Sequence, residues 1–178
     1  MVVGGIARRC LVALAAVAAV AALTAGGAAA GPRASLTPLE TGVLADINSF
    51  RAAHGLARLR LSTSLTLAAR AHSTQMAQDG YFAHESADGS PFWKRVQAFY
   101  GSSPWRLWSV GENLLWSSPG VTAGHALQMW VASPEHLKNL MNPQWREIGV
   151  SAVHVSAAPG VYRGLGVTIV TTDFGVRR

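Results

Sequence analysis

A chain of 178 residues with a formal net charge of +6 suits one domain with a sizeable core. Its basic residues, among them Arg51, Arg70, Lys94, Arg95, Arg106 and Arg146, are scattered rather than gathered in a stripe, which argues against nucleic acid as a partner and reads as a solvated basic surface. The single cysteine, Cys10, excludes a disulfide scaffold, so stability rests on core burial.

The first thirty residues read as a secretory signal peptide. Arg8 and Arg9 precede an apolar run from Leu11 to Leu23, and the small residues Gly26 to Ala30 follow it, with cleavage placed after Ala30. The run is too short for a comfortable membrane span, and Arg8-Arg9 also permits twin-arginine export. Cys10 leaves with the leader, as do two positive charges. Residues 31–36 form a short linker, and 37–175 form the domain. The expectation is a secreted or envelope-associated monomer with no transmembrane anchor after cleavage.

Within the domain, Thr37-Pro38-Leu39-Glu40 carries a capping-box signature, because the Thr hydroxyl and the Glu carboxylate can satisfy each other's backbone N–H groups. Leu39, Val43, Ile47 and Phe50 give that helix one apolar face up to His54-Gly55. A second helix, capped by Ser62 or Ser64 and stopped at Asp79-Gly80, places His72 partly buried on its apolar stripe, as a hydrogen-bonded core histidine. Ser90-Pro91 opens a short third helix with Phe92, Val96 and Phe99 facing in. Val110 to Trp116 is extended and mostly apolar, with Glu112 embedded in it at a cost unless the carboxylate is paired. A helix from about Val121 to Ala132 puts Leu127 and Trp130 in the core.

Ser133 then caps another short helix with Pro134 at its first position, Glu135 near the positive end of the dipole and His136 in the first turn. Asn142-Pro143 stops it. Two strands, Ile148 to Val155 and Val161 to Thr172, follow as a hairpin around Ala157-Ala158-Pro159-Gly160, and Asp173 lies in a closing turn or near a cleft mouth. Helices early and strands late make the class α+β. His54, His125 and His154 read as exposed. Among the tryptophans, Trp93, Trp105, Trp108 and Trp116 sit in or beside the middle loops, where an exposed set suits glycan or lipid contact and core packing is the commoner fate.

Four segments line up in order: Asn48-Ser49-Phe50-Arg51 with Gly55-Leu56, Tyr81-Phe82-Ala83-His84, Gly111-Glu112-Asn113, and Trp130 through Ser133-Pro134-Glu135-His136 to Ile148-Gly149-Val150. With Thr172-Asp173-Phe174-Gly175, they resemble the CAP superfamily, the SCP-like extracellular domain of cysteine-rich secretory, antigen 5 and plant pathogenesis-related proteins, in its cysteine-free bacterial branch. The resemblance implies an α-β-α sandwich, a central antiparallel sheet between helical layers, with a cleft lined by two histidines and two acids. His84 and His136 match the histidines and Glu112 matches one acid. The stretch ending Trp130-Val131-Ala132-Ser133 lacks the second, and Glu135 points about 100° away from His136 around the helix.

Two imidazoles and a carboxylate are a competent donor set for a divalent metal such as zinc, or an acid–base set around a substrate. No HExxH and no Gly-x-Ser-x-Gly sequence points to a standard protease or serine hydrolase. The reading is a binding domain whose cleft at His84, Glu112 and His136 holds a divalent metal or small ligand, with lipid or sterol, glycan and protein as the partner classes. Two alternatives stand beside it. One is a metal-assisted hydrolase of an envelope peptide, lipid or glycan, with the same three residues catalytic. The other is a scaffold in which Glu112 bridges the histidines and braces the helix against the strand.

Overall fold

The computed structural model describes residues 35–178; the expected signal peptide, Cys10 and most of the expected short linker lie outside them. Helix α1 (Pro38–Ala53) begins with the expected capping box: Glu40 accepts from the Thr37 amide at 2.7 Å, and Thr37 Oγ1 from the Glu40 amide at 3.2 Å. Strand β1 (Arg60–Leu61) leads into α2 (Thr63–Asp79), capped by Ser62, and α3 (Phe92–Phe99) follows. Then come β2 (Trp108–Ser117), α4 (Ala123–Val131), α5 (Pro134–Met141), β3 (Glu147–Val155) and β4 (Val167–Arg177). The sheet order is β1-β3-β4-β2. The three long strands are antiparallel, and only the two-residue β1 pairs parallel, with Glu147 and Ile148 of β3.

Side-chain alternation divides the sheet between two helical layers. Leu115, Ile148, Val150, Val170, Phe174 and Val176 pack with Val43, Ile47, Trp130 and Leu140 of α1, α4 and α5. The other face sends Leu114, Val167 and Ile169 to Met76 and Ala77 of α2, while Leu65 and Ala68 of α2 pack with Val96 and Tyr100 at the end near α3. The result is the expected α-β-α sandwich. Side chains occupy part of each open sheet edge, which reduces the backbone left for stray strand pairing. Glu40 accepts from the Ala152 amide of β3 at 3.0 Å. On β2, Asn139 and Trp130 donate to the carbonyls of Glu112 (3.0 Å) and Leu114 (3.1 Å).

Several expectations shift. The last strand is β4, Val167–Arg177, rather than Val161 to Thr172, because Gly160–Tyr162 winds into a 3₁₀ turn. Asp173 is therefore no turn residue: it lies mid-strand, wholly buried, opposite Glu112 and Gly149. Phe99 is 41% exposed rather than facing in, while Val96 is buried as expected. Arg51 is no surface charge but wholly buried. His72 is buried completely, while His54, His125 and His154 are exposed. Trp93 and Trp105 are exposed, Trp108 and Trp116 half-buried, and Trp130 and Trp145 buried.

Candidate functional site

His84 belongs to the segment leaving α2, and three hydrogen bonds and one close backbone approach set its course. Gly80 ends α2 with φ +72°, a conformation that glycine adopts without strain, and its carbonyl accepts from the Val161 amide at 2.9 Å. Gly160 approaches so closely that a Cβ there would lie 2.0 Å from the Gly80 oxygen. Tyr162 donates its hydroxyl to the Tyr81 carbonyl at 2.8 Å, and His72 donates Nε2–H to the Ala83 carbonyl at 2.9 Å. Burial pushes the His72 pKa down to about 4, so at neutral pH it is an uncharged anchor for the neighbouring His84 segment.

His136 arrives from the opposite layer on α5. The buried Arg51 of α1 grips the far end of that helix, donating Nη1 to the carbonyls of Leu140 (2.7 Å) and Asn142 (3.1 Å) and Nε to Ala57 (3.0 Å). A cation at the C-terminal carbonyls also suits the helix dipole. Asn48 bonds Leu59 in both directions, at 3.0 and 2.7 Å, so the Asn48–Arg51 segment organises the loop beneath the site. At the near end Pro134 takes the first helical position, but the Ser133 hydroxyl makes no capping bond, contrary to the sequence expectation.

The Gly111-Glu112-Asn113 triplet divides its work by strand alternation. Gly111 leaves room for α5, since a Cβ there would lie 2.9 Å from both Asn139 and Trp145. Asn113 turns to the same side and donates to the His136 carbonyl at 3.1 Å. Glu112 points to the other layer, where its Oε1 pairs with His84 Nδ1 at 2.8 Å and its Oε2 with Arg95 Nη2 at 2.5 Å. Arg95, expected among the solvated charges, has a side chain only 8% exposed. The sequence holds a signal for this: Arg95 stands three residues after Phe92, on the flank of α3 that faces the sheet. Glu112 thus braces His84 and Arg95 rather than bridging the two histidines.

His84 and His136 line one cleft of about 400 Å3, together with Phe92, Glu112, Glu135 and Lys138. Glu135 therefore reaches the cleft despite its offset from His136. Burial lowers the His136 pKa, the nearby His84 lowers it further, and Glu135 opposes both. Behind Glu112 sits a second carboxyl, that of Asp173. Burial first, and then the charge of Glu112, raise its pKa well above the carboxylate range, against the pull of Arg95. Neither Asp173 oxygen has a partner when both acids are ionised; with a proton, Asp173 can donate to Glu112. A larger groove of about 760 Å3 between α2 and α3 contains neither cleft histidine.

The arrangement offers two imidazoles from opposite layers, one oriented by a buried carboxylate. Among the described residues no three His, Cys, Asp or Glu side chains gather as a metal-ligand group. No helix among them is long and apolar enough to cross a membrane.

Known proteins resemble this chain in sequence and fold. The chain is 32% identical over 120 residues to the uncharacterized protein YkwD of Bacillus subtilis, matching 67% of this chain but 44% of YkwD. An extracellular protein containing a SCP domain from Bacillus anthracis superposes with a TM-score of 0.57 at 29% identity, over 82% of this chain and 45% of that one. An outer surface protein of Borrelia burgdorferi shares the fold at a TM-score of 0.61 and 18% identity, over 76% and 90% of the two chains. The chain thus spans less than half the length of two of these relatives. The profile of the CAP, or cysteine-rich secretory protein, family matches residues 44–171, and with that match added to the sandwich and its cleft, the chain belongs to that family.

Proposed function

We infer that this CAP domain is an extracellular binding module whose cleft takes a divalent transition metal such as zinc on His84 and His136. The observation that carries the reading is the 2.8 Å contact of His84 Nδ1 with buried Glu112. A carboxylate on one ring nitrogen fixes the tautomer and turns the other nitrogen outward as a ligand, the usual support of a metal-binding histidine. The His84 side chain is 48% exposed, so Nε2 opens to the cleft. Lowered basicity keeps His136 neutral, with a lone pair to offer.

The donor set fits two protein ligands with open positions rather than a closed structural site. Glu112 is not counted as a ligand, since both its oxygens are engaged. When bound, the metal supplies a Lewis-acid centre for an exogenous oxygen or nitrogen donor. The chain's own residues orient that centre: Arg95 holds Glu112, Glu112 holds His84, and Asn113 and Arg51 hold the helix of His136. The hydrolase reading needs a carboxylate free to accept a proton from water; both Glu112 oxygens are committed, which leaves that role to Glu135 on the cleft wall.

Calorimetric titration of the purified protein with zinc tests this reading. One equivalent binds to the wild type, binding disappears in His84→Ala/His136→Ala, and Glu112→Gln weakens it roughly 10- to 100-fold. Unchanged binding in the double variant contradicts the assignment.

A further inference from the structure

A second pocket adjoins the cleft. It measures about 280 Å3, and its lining includes Phe82, Leu114, Trp116, Met129, Ser133 and His136. Three segments contribute to both pockets, with α3 adding Phe92 to the cleft and α4 adding Met129 and Trp130 to the smaller pocket. The stretch after α2 gives Phe82 to one and His84 to the other; β2 gives Leu114 and Trp116 to one and Glu112 to the other; His136 lines both. The smaller pocket is apolar except for the His136 ring and the hydroxyl of Ser133, which is uncommitted because it makes no capping bond. Phe82, 37% exposed, stands on its lining.

We propose that the two pockets are halves of one ligand site, which takes a carboxylate bearing a single compact apolar group, aryl or branched alkyl. The proposal rests on the metal reading above, because open positions on a divalent cation at His84 and His136 favour an anionic oxygen donor. Lys138 on the cleft wall adds a cation, offset there by the carboxylate of Glu135, so the metal is what sets the preference for an anion. The apolar half sets the size. At the ~30 Å3 that a water occupies in the liquid, its volume holds about ten non-hydrogen atoms. That accommodates a phenylalanine or leucine side chain and falls short of a long acyl chain. Apolar sites gain affinity with the area they remove from water, so the chain-length dependence is set by where the pocket ends.

Two sources share this chemistry: a free short-chain or aryl acid, and the C-terminal residue of a peptide. The test uses cobalt-loaded protein, whose visible spectrum reports the open positions, titrated with acetate, 3-phenylpropionate, hexadecanoate and a tetrapeptide of three alanines and a terminal phenylalanine. Phenylpropionate binds at least tenfold tighter than acetate, and Met129→Trp, which fills the pocket, removes that preference. Tighter binding of the tetrapeptide than of phenylpropionate assigns the source to peptide termini, and the reverse assigns it to free acids; either supports the site. Equal affinities for acetate and phenylpropionate overturn the proposal and leave the metal reading standing. Hexadecanoate binding more tightly than phenylpropionate also overturns it, since the pocket is then open-ended. Failure to take up cobalt overturns the metal reading and this proposal together.

Discussion

Two carboxyls, Glu112 and Asp173, face one guanidinium, Arg95, on the buried side of the cleft. Two ionised acids in one dry site repel each other strongly, and one of them keeps its proton. Geometry assigns the charge to Glu112, which holds Arg95 and His84, and the proton to Asp173, which has no cation of its own. The native state retains a proton that the unfolded chain releases near its ordinary pKa, so this group's contribution is fully present below that value and lost as pH rises toward the raised native pKa. Asp173→Asn, a neutral isostere, is expected to keep the fold and, in urea unfolding, to flatten the loss of stability that sets in as pH rises above about 4. An Asn variant with the wild-type pH slope would show that Asp173 is ionised in the native state.

The elements that deliver the histidines depend on glycines at points of backbone contact. A Cβ on Gly149 of β3 would lie 2.1 Å from the Leu65 carbonyl carbon and 2.2 Å from the Thr66 amide nitrogen of α2, and neither can move without lifting the helix from the sheet. Gly149→Ala is therefore expected to lower stability by about 3 kcal/mol, read as a fall in the urea midpoint; a loss below about 0.5 kcal/mol would mean that α2 slides freely on β3. Helix starts were legible in the sequence, because the capping box at Thr37 and the Ser62 cap are local chemistry. The end of the last strand was not. Asp173 and Gly175 are poor strand formers, and what keeps them in β4 is tertiary: a protonated acid behind Glu112, and a glycine that leaves space for Tyr100 and Leu65. His84, His136 and Glu112 are legible from their motifs. The burial of Arg51 is not, and that of Arg95 shows only in its place on the flank of α3 that faces the sheet, because an arginine in sequence carries no sign of the carbonyls or carboxylate that will neutralise it once buried.

At the scale of the whole molecule, the two layers meet over the edge of β2, one histidine from each, and the buried groups behind them set how the fold responds to acid. His72 stays neutral in the native state with a pKa near 4 but takes a proton in the unfolded chain near 6.5. Its contribution is present above about pH 6.5 and lost as pH falls through about 4, on the order of 3 kcal/mol in all. Acid unfolding followed by circular dichroism should shift to lower pH in a His72→Gln variant; an unchanged transition would remove His72 as its cause. Zinc bound as proposed is expected to add to the same balance from outside, raising stability by about 2.7 kcal/mol at a hundredfold excess over Kd. The proposed orientation of His84 by Glu112, with Nε2 turned toward a metal shared with His136, is tested most directly by the long-range proton–nitrogen NMR spectrum of the imidazoles with and without zinc. His84 is expected to keep a protonated Nδ1 while its Nε2 and one His136 nitrogen shift on zinc addition. A shifted Nδ1 on His84, or imidazole signals that do not respond to zinc, would contradict that orientation.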